Sequence, residues 1–223
     1  MDATTTRSLS IKHGVLLKND SLAATNRARF AARRQTVVNV LSSPGSGKTT
    51  LLERTLTDLA PRIPAAVIVG DLATDNDARR LRRSGVLVHQ ITTGTVCHLD
   101  AAMIARACKE LPIQDGSLLI IENVGNLVCP ASYDLGESVR IVLMSVTEGE
   151  DKPSKYPKIF KTADLVLITK LDLAEAAGFD RRLARDILAE VAPQADVIEL
   201  SARTGAGLQP WYERLTEWCR AHD

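Results

Sequence analysis

The chain has 223 residues, of which 45% are hydrophobic and 25% are charged, a size and balance typical of one globular domain with a buried core. Its net charge of +1 argues against a broad nucleic-acid surface and a membrane-binding face, and no apolar run approaches the roughly 18 residues of a membrane-spanning helix. Residues 1–14 lack the apolar stretch of a secretory signal, and the four cysteines include no Cys-x-x-Cys pair. We therefore expect a cytoplasmic protein whose partners include neither nucleic acid nor a membrane.

Aliphatic segments alternate with helix-compatible segments along most of the chain. We predict strands over residues 36–41, 65–71, 86–91, 117–123, 140–146, 164–170 and 196–200. We predict helices over residues 48–60, 74–83, 95–111, 179–191 and 207–220. The strand segments are continuous aliphatic runs, as in strands covered on both faces, and their order favours right-handed βαβ crossovers. The fold class that follows is α/β, a doubly wound, mostly parallel sheet with helices on both faces.

The first 35 residues differ from this alternating pattern. Residues 19–34 are compatible with a basic helix outside the sheet, and a solvated extension is the alternative. We therefore divide the chain into a partly helical N-terminal extension, residues 1–35, and a main domain, residues 36–223.

The segment SSPGSGKTT, which begins at Ser42, stands between the first strand and an amphipathic helix, the context of a phosphate-binding P-loop. Gly45 and Gly47 let backbone N–H groups turn toward anionic oxygens, where a Cβ would obstruct the approach. Lys48 can reach the β- and γ-phosphates, and the Thr49 hydroxyl can ligate Mg²⁺. Ser42 replaces the first Gly of the full pattern, so an ordinary βα turn is the alternative. The expected nucleotide-binding residues are Ser43, Gly45, Ser46, Gly47, Lys48, Thr49 and Thr50.

Three carboxylates lie at or after strand ends, on the sheet edge where α/β folds bind ligands. Glu122 is placed to hold Mg²⁺, directly or through water, together with Thr49. Asp71 and Asp77 can each hold the metal or orient the attacking water, and their separate roles stay open. For Asp77, capping of the following helix is the alternative. With Lys48, these three carboxylates are the candidate catalytic residues.

The segment TKLD over residues 169–172 follows a strand and predicts recognition of guanine. The Asp172 carboxylate can accept hydrogen bonds from N1–H and the exocyclic amine of guanine, a donor pair that adenine lacks. The Lys170 stem can cover the base, whereas Thr169 replaces the usual Asn and leaves the loop-bracing contact open. After the last strand, three more residues are expected beside the guanine oxygen: Ser201, Ala202 and Arg203. We therefore favour GTP over ATP.

A second candidate site contains soft metal ligands. Thr95 is a candidate N-cap, which would place Cys97 and His98 in the first helical turn, where the helix dipole favours a thiolate. Cys129 lies in the loop after the fourth predicted strand and can approach that turn. Two thiolates and an imidazole suit Zn²⁺ or Ni²⁺, and buried structural cysteines are the alternative.

The remaining cysteines and histidines show no ligand pattern. Cys108 lies on the apolar stripe of its predicted helix, so we expect it in the core. The side chains of His13, His89 and His222 have no ligand-like spacing and are expected to be structural or solvated.

Seven segments together resemble one known family. They are SSPGSGKTTLLERT, GDLATDNDARR, TTGTVCHLDA, IIENVGNLVCPASYDLGE, TEGEDKPSKYP, TKLDL and SARTG. Through them, over residues 36–207, the chain resembles the HypB family of hydrogenase nickel incorporation proteins, which are GTPases of the SIMIBI class of P-loop NTPases. The third, fourth and fifth segments are close to diagnostic of that family, whereas the P-loop is widely shared.

The resemblance implies slow hydrolysis of GTP to GDP and phosphate, and delivery of nickel during maturation of nickel–iron hydrogenase. It implies that Cys97, His98 and Cys129 bind Ni²⁺ or Zn²⁺ at a nucleotide-sensitive homodimer interface. The implied partners are a second copy of the chain, the nickel-donating accessory protein HypA and the hydrogenase large subunit. Residues 1–35 contain no Cys and only His13, which argues against a high-affinity nickel site in that segment.

Three other functions stay open at this point. One is a nickel GTPase of urease type, although the Cys-Pro-His motif of that group is absent from the sequence. Another is a P-loop phosphotransferase acting on a small metabolite, which would prefer ATP. The third is a nucleotide-gated interaction protein whose turnover matters little and whose metal is incidental.

A mechanism follows for the metal-delivering GTPase that the resemblance implies. Glu122 and Cys129 share one short segment, so a phosphate-dependent shift of Glu122 is expected to move Cys129 and change the metal affinity.

Overall fold

The structure is a computed structural model that describes residues 3–221, with side chains from residue 14 onwards. The predictions for the side chains of His13 and His222 lie outside these described residues. The strands are β1 (Thr36–Ser42), β2 (Ala65–Asp71), β3 (Leu87–Thr92), β4 (Leu118–Glu122), β5 (Val139–Ser145), β6 (Leu165–Thr169) and β7 (Asp196–Glu199). The helices are α1 (Ala3–Ala32), α2 (Lys48–Leu59), α3 (Asn76–Arg82), α4 (Ala101–Glu110), α5 (Lys152–Lys155), α6 (Pro157–Phe160), α7 (Arg181–Val191) and α8 (Leu208–Arg220).

The seven strands form one parallel sheet in the order β3-β2-β4-β1-β5-β6-β7. All seven predicted strands are confirmed, each to within one residue at either end, and the predicted fold class is confirmed with them. The central strand β1 is buried along its whole length and pairs with β4 on one side and β5 on the other. The loops after these central strands therefore meet at the carboxyl edge of the sheet, where α/β folds bind ligands.

Helices cover both faces of the sheet, and alternate residues of β1 contact opposite layers. Val38 packs with side chains of α2, α3 and α8, among them the fully buried Trp211. On the other face, Val37 packs with Phe30 of α1 and Ile104 of α4. A neighbouring cluster on that face adds α6 and α7. Burial on both faces explains why the strand segments are continuous aliphatic runs rather than alternating ones.

The N-terminal helix α1 is longer than the segment expected to be helical, and it packs against α4. Ala23 and Phe30 on its inner side are buried, so this part of the chain is not a solvated extension. Among residues 3–221, no helix combines the length and the apolar character needed to span a membrane. The division of the chain at residues 35 and 36 stays a prediction.

The helix predicted to begin at Thr95 begins at Ala101 instead. Its N-cap is Asp100, whose carboxylate accepts a hydrogen bond of 2.7 Å from the third amide of the helix. Cys97 and His98 therefore precede α4 and do not lie in its first turn. The argument that the dipole of α4 favours a thiolate at Cys97 is wrong for this reason.

The alternative role for Asp77 as a helix cap is also wrong. Helix α3 begins at Asn76, so Asp77 lies inside the first turn, and Asp75 occupies the N-cap position. The Asp77 carboxylate instead borders the cleft beside the P-loop. Of the two hypotheses for Asp77, helix capping and a role at the nucleotide site, the second is left.

The turn before α8 offers a matched test of backbone packing. Gly207 has a φ of 71°, and a Cβ added there would lie 2.0 Å from the Glu199 carbonyl oxygen. Gly205 has a φ of 87°, but no heavy atom lies within 4 Å of its Cβ position. We expect Gly205→Ala to lower the free energy of unfolding by about 1–2 kcal/mol, the cost of a left-handed residue. Gly207→Ala adds a backbone overlap and should cost on the order of 3 kcal/mol or more.

Urea unfolding of both variants measures these two costs. Equal losses would mean that the chain relaxes away from the overlap at Gly207, contrary to the packing described.

Candidate functional site

The P-loop joins β1 to α2 and opens into a cleft of about 540 Å³. Gly45 and Gly47 have φ values of 75° and 95°, in the left-handed region that glycine adopts without strain. Gly47 is also the N-cap residue of α2, so the first amides of that helix point into the cleft. This arrangement of amides at a helix N-terminus forms an anion-binding cradle.

The replacement of the first P-loop glycine by Ser42 has a structural consequence. The Ser42 hydroxyl accepts a hydrogen bond of 2.9 Å from Lys48 Nζ and donates one of 2.7 Å to the Ser43 carbonyl. Burial lowers the pKa of Lys48, and the nearby Glu122 carboxylate opposes that shift. The serine therefore holds the buried ammonium at the base of the cleft, where a phosphate group would meet it.

A hydroxyl and a carboxylate meet at the opposite wall of the cradle. Thr49 Oγ1 donates a hydrogen bond of 2.6 Å to Glu122 Oε1, and the second carboxylate oxygen, Oε2, is buried without a hydrogen-bond partner. Burial raises the pKa of Glu122 to about 7, although the nearby charge of Lys48 acts to lower it. Hard oxygen ligands and an unpaired buried carboxylate oxygen fit a Mg²⁺ ion.

The other two carboxylates differ in their surroundings. Asp71 Oδ1 accepts hydrogen bonds from the amides of Ala73 and Thr74 at 3.0 and 2.7 Å. Burial alone would raise the pKa of Asp71, but these hydrogen bonds lower it, so the carboxylate stays ionised. Asp77 borders the cleft from the first turn of α3.

A smaller cavity of about 200 Å³ adjoins the cleft, and both are lined by Gly47, Thr50 and Lys170. Its other polar lining residues are Ser46, Thr169, Asp172, Ser201 and Arg203, and Ala202 also lines it. Ser201 Oγ donates a hydrogen bond of 2.5 Å to Asp172 Oδ1, which leaves Oδ2 for a ligand. Three segments that are distant in the chain, around Ser46, Asp172 and Ser201, thus converge as expected for a base pocket beside a phosphate cradle.

Thr169 stands where the guanine motif usually has Asn, and it makes a contact that braces the P-loop. Thr169 Oγ1 donates a hydrogen bond of 2.7 Å to the Ser46 carbonyl, so it braces the P-loop against the end of β6. The next residue, Lys170, has a φ of 58°, and its stem passes close to the P-loop at Gly47. A shorter polar side chain therefore performs the bracing that we expected an Asn to perform.

The three candidate soft ligands come together in one cluster. Ligand atoms of Cys97, His98 and Cys129 all lie within 4.8 Å of one another, and the two sulfur atoms are 2.8 Å apart. The His98 ring stacks on Tyr133 with ring centroids 3.9 Å apart, and its buried Nδ1 has no hydrogen-bond partner. Burial lowers the pKa of His98 and so favours the neutral imidazole, the form that ligates metal ions. The donor set fits Ni²⁺ or Zn²⁺.

Two connections tie the cluster to the phosphate cleft. Leu99, next to His98, donates its backbone amide to Asn123 Oδ1 at 3.3 Å, and Asn123 directly follows Glu122. The buried Leu99 side chain also packs on Gly70, where a Cβ would approach it to 2.8 Å, and Gly70 directly precedes Asp71. The turn that carries Cys97 and His98 therefore rests on the ends of both β2 and β4.

Sequence reasoning missed Arg80, which borders the cleft from α3. Its guanidinium donates hydrogen bonds to Glu53 Oε2 at 2.8 Å and to Thr50 Oγ1 at 3.1 Å. A signal existed, because Arg80 follows Asp77 by three residues and so shares its helix face. Cys108 lies in the core as predicted, away from the cluster.

The raised pKa of Glu122 predicts a pH-dependent stability in protein free of metal and nucleotide. A carboxyl with a pKa of about 7 in the folded state and 4.5 ordinarily is protonated more readily when folded. Stability should therefore fall as pH rises from about 4.5 to 7, by on the order of 3 kcal/mol, and level off above that window. Glu122→Gln should remove this fall. Urea unfolding at pH 5 and pH 8 in EDTA checks the difference, and identical pH profiles for both proteins would contradict it.

Comparison with known proteins supports the family expected from the sequence. The family described as "CobW/HypB/UreG, nucleotide-binding domain" matches residues 36–199. The hydrogenase maturation factor HypB of Escherichia coli K12 is 52% identical over 214 residues, which cover 96% of this chain and 74% of that relative.

Solved structures agree with these sequence matches. The crystal structure of HypB from Helicobacter pylori in complex with nickel has a TM-score of 0.85 and 44% identity, covering 92% of this chain and 96% of that one. The crystal structure of hydrogenase maturation factor HypB from Archaeoglobus fulgidus has a TM-score of 0.84 and 40% identity, covering 91% and 99%. The chain therefore belongs to the CobW/HypB/UreG family of nucleotide-binding proteins and is a homologue of the HypB hydrogenase maturation factors.

Proposed function

We propose that the protein is a GTP-hydrolysing metallochaperone that binds nickel, or zinc, and inserts nickel during maturation of nickel–iron hydrogenase. The observation that carries the proposal is the gathering of Cys97, His98 and Cys129, joined through Leu99 to the strand ends that lead to Asp71 and from Glu122. A P-loop phosphotransferase would have no use for a thiolate–imidazole cluster in that place. The family membership and the nickel complex of the H. pylori relative support the same function.

In the nucleotide site, the triphosphate of GTP is proposed to lie on the amides after Gly45 and Gly47. Lys48 would exchange its hydrogen bond to Ser42 for the β- and γ-phosphates. Thr49 and Glu122 would hold Mg²⁺, which supplies charge neutralisation to the phosphates when bound. Hydrolysis is assigned to these groups together with Asp71 and Asp77, which line the same cleft and of which either would hold the metal or orient the attacking water.

In the base pocket, Asp172 is proposed to select guanine. Its Oδ1 is engaged by the Ser201 hydroxyl, so Oδ2 faces the cavity as a hydrogen-bond acceptor. Guanine presents two donors to such a carboxylate, and adenine would leave it desolvated and unpaired. Lys170, Ala202 and Arg203 complete the walls around the base.

The metal cluster is proposed to receive nickel from the accessory protein HypA and to pass it to the hydrogenase large subunit. Val128, beside Cys129, is 61% exposed, an apolar side chain that favours burial of this edge against a second copy of the chain. The two thiols must stay reduced to bind metal, so the proposal places the protein in the cytoplasm. GTP would change the metal affinity through the Asn123 and Gly70 contacts of Leu99.

Guanine selection by Asp172 can be tested with Asp172→Asn. Because the Ser201 hydroxyl holds the acceptor oxygen, the Asn amide would point its NH₂ at the guanine donors. We expect GDP and GTP affinity to fall at least about a hundredfold, while xanthine nucleotides, which carry a carbonyl in place of the amine, bind more tightly. Equilibrium binding of guanine, xanthine and adenine nucleotides gives the comparison, and an unchanged GTP affinity would remove this role.

Metal binding can be tested with Cys97→Ala and Cys129→Ala. Each should abolish stoichiometric binding of Ni²⁺ or Zn²⁺, because a two-ligand remnant cannot hold the ion against water. Cys108→Ala is the matched control, since that thiol is buried in the core and should leave binding intact. Calorimetric titration measures the stoichiometry, in GDP and in a non-hydrolysable GTP analogue. Full binding by either cluster variant would exclude the metallochaperone proposal.

A further inference from the structure

Two asparagines on α1 are buried although they lie on a helix that packs outside the sheet. Asn19 is 5% exposed and Asn26 is 4% exposed, and neither uses its side chain within α1. Both reach across the helix interface to backbone groups of distant segments. A buried amide side chain is costly unless it is hydrogen-bonded, so these contacts fix the helix at a specific register.

Asn19 bridges the two segments that carry the metal-ligating cluster. Its Oδ1 accepts a hydrogen bond of 2.9 Å from the amide of Ala101, three residues after His98. Its Nδ2 donates one of 2.8 Å to the carbonyl of Asp134, next to Tyr133, whose ring stacks on His98. One amide group thus spans the chain after the Cys97–His98 turn and the chain after Cys129.

Asn26 makes a second bridge of the same kind, about two helical turns further along α1. Its Nδ2 donates hydrogen bonds to the carbonyls of Ala101, at 2.9 Å, and Leu135, at 3.0 Å. Both amide protons are therefore used, one on each of the two ligand-bearing segments. Ala101 is held by both its amide and its carbonyl group, which leaves the first residue of α4 little freedom to move.

Close packing reinforces the bridge on the side of Cys129. Gly136 has a φ of 89°, and a Cβ there would lie 2.6 Å from the Ala23 carbonyl oxygen. Arg27 pairs with both carboxylate oxygens of Asp134, at 2.7 and 2.9 Å. The segment after Cys129 is therefore seated directly on the backbone of α1.

Just beyond the C-terminal end of α1, Arg33 makes a similar docking contact that touches neither ligand-bearing segment. Arg33 donates to Asp115 Oδ1 at 2.6 Å and to the Ile113 carbonyl, both beyond the end of α4. This contact serves as an internal comparison, because it contributes to docking of the same helix without reaching the cluster.

We propose that Asn19 and Asn26 are positioning residues for the Cys97–His98–Cys129 cluster, which they hold together by clamping its two segments onto α1. The proposal rests on the proposed function only in that the cluster binds a metal ion. Residues that orient metal ligands from behind commonly change metal affinity 10- to 100-fold when they are removed. The N-terminal helix is thus a structural part of the metal site, although it supplies no ligand from its described side chains.

The test uses the full chain with Asn19→Ala and Asn26→Ala, and with Arg33→Ala as the control at the other end of α1. We expect Ni²⁺ affinity to fall at least tenfold in both Asn variants and to stay within about twofold of the unchanged chain in the control. The absorption spectrum of bound Co²⁺ should change in the Asn variants alone, because its sulfur-to-metal bands report the geometry of the thiolates. GDP affinity should be the same in all four proteins.

Asn19→Asp keeps the acceptor for the Ala101 amide but loses the donor to the Asp134 carbonyl, so its loss of Ni²⁺ affinity should be intermediate. This variant tests the proposal if an Ala variant does not fold. Equal Ni²⁺ affinity and an unchanged Co²⁺ spectrum in the Asn variants would overturn the proposal. An equal loss in Arg33→Ala would overturn it too, since docking of α1 in general would then be the cause. If the unchanged chain binds no Ni²⁺ at Cys97 and Cys129, the proposed function fails instead.

Discussion

The parallel pairing of β1 with β4 is the constraint on which both candidate sites depend. Its register sets Val40 opposite Glu122, and the Asn123 amide continues the ladder to the Val40 carbonyl at 3.0 Å. The P-loop leaves β1 just beyond that point, which brings the Thr49 hydroxyl within 2.6 Å of Glu122. A slip of one residue would turn Glu122 to the other face of the sheet and redirect the segment that leads to Cys129. The sheet register thus sets the positions of the proposed Mg²⁺ ligands and the course of the loop that carries Cys129 together.

The same constraint explains how two chemically different sites can influence each other over a short distance. Leu99 touches the residue after Glu122 through its amide and the residue before Asp71 through its side chain. In the proposed coupling, a movement of either strand end on binding phosphate would therefore act on the turn that carries Cys97 and His98. By thermodynamic linkage, the factor by which GTP changes metal affinity is the factor by which the metal changes GTP affinity. The coupling proposed here therefore requires no element beyond the two strand ends and one leucine.

Local sequence patterns predicted those parts of the structure that depend on residues close together in the chain. Continuous aliphatic runs identified the seven strands, and glycine positions with Lys48 identified the phosphate cradle. The start of α4 was missed because Thr95 and Asp100 are both good N-caps, and only the tertiary fold selects the second. The roles of Asn19 and Asn26 were out of reach, since their partners lie 75 to 115 residues away in the chain. The cluster of Cys97 and Cys129 was anticipated from topology because both segments follow strands at one sheet edge, although nothing local fixes their separation.

Buried polar atoms without partners give an independent argument that these regions await ligands. Native structures leave few such atoms, because each loses its hydrogen bonds to water without compensation. Within the part of the chain that the structure describes, four side-chain atoms are in this state: Ser43 Oγ, Gln90 Oε1, His98 Nδ1 and Glu122 Oε2. Ser43 belongs to the P-loop, Glu122 contacts Thr49 of the same loop, and His98 belongs to the cysteine–histidine cluster, so three of the four fall on the two proposed sites. Sequence selection for stability alone would have paired or replaced these groups, whereas the proposed nucleotide and metal ions would offset the cost of leaving them unpaired.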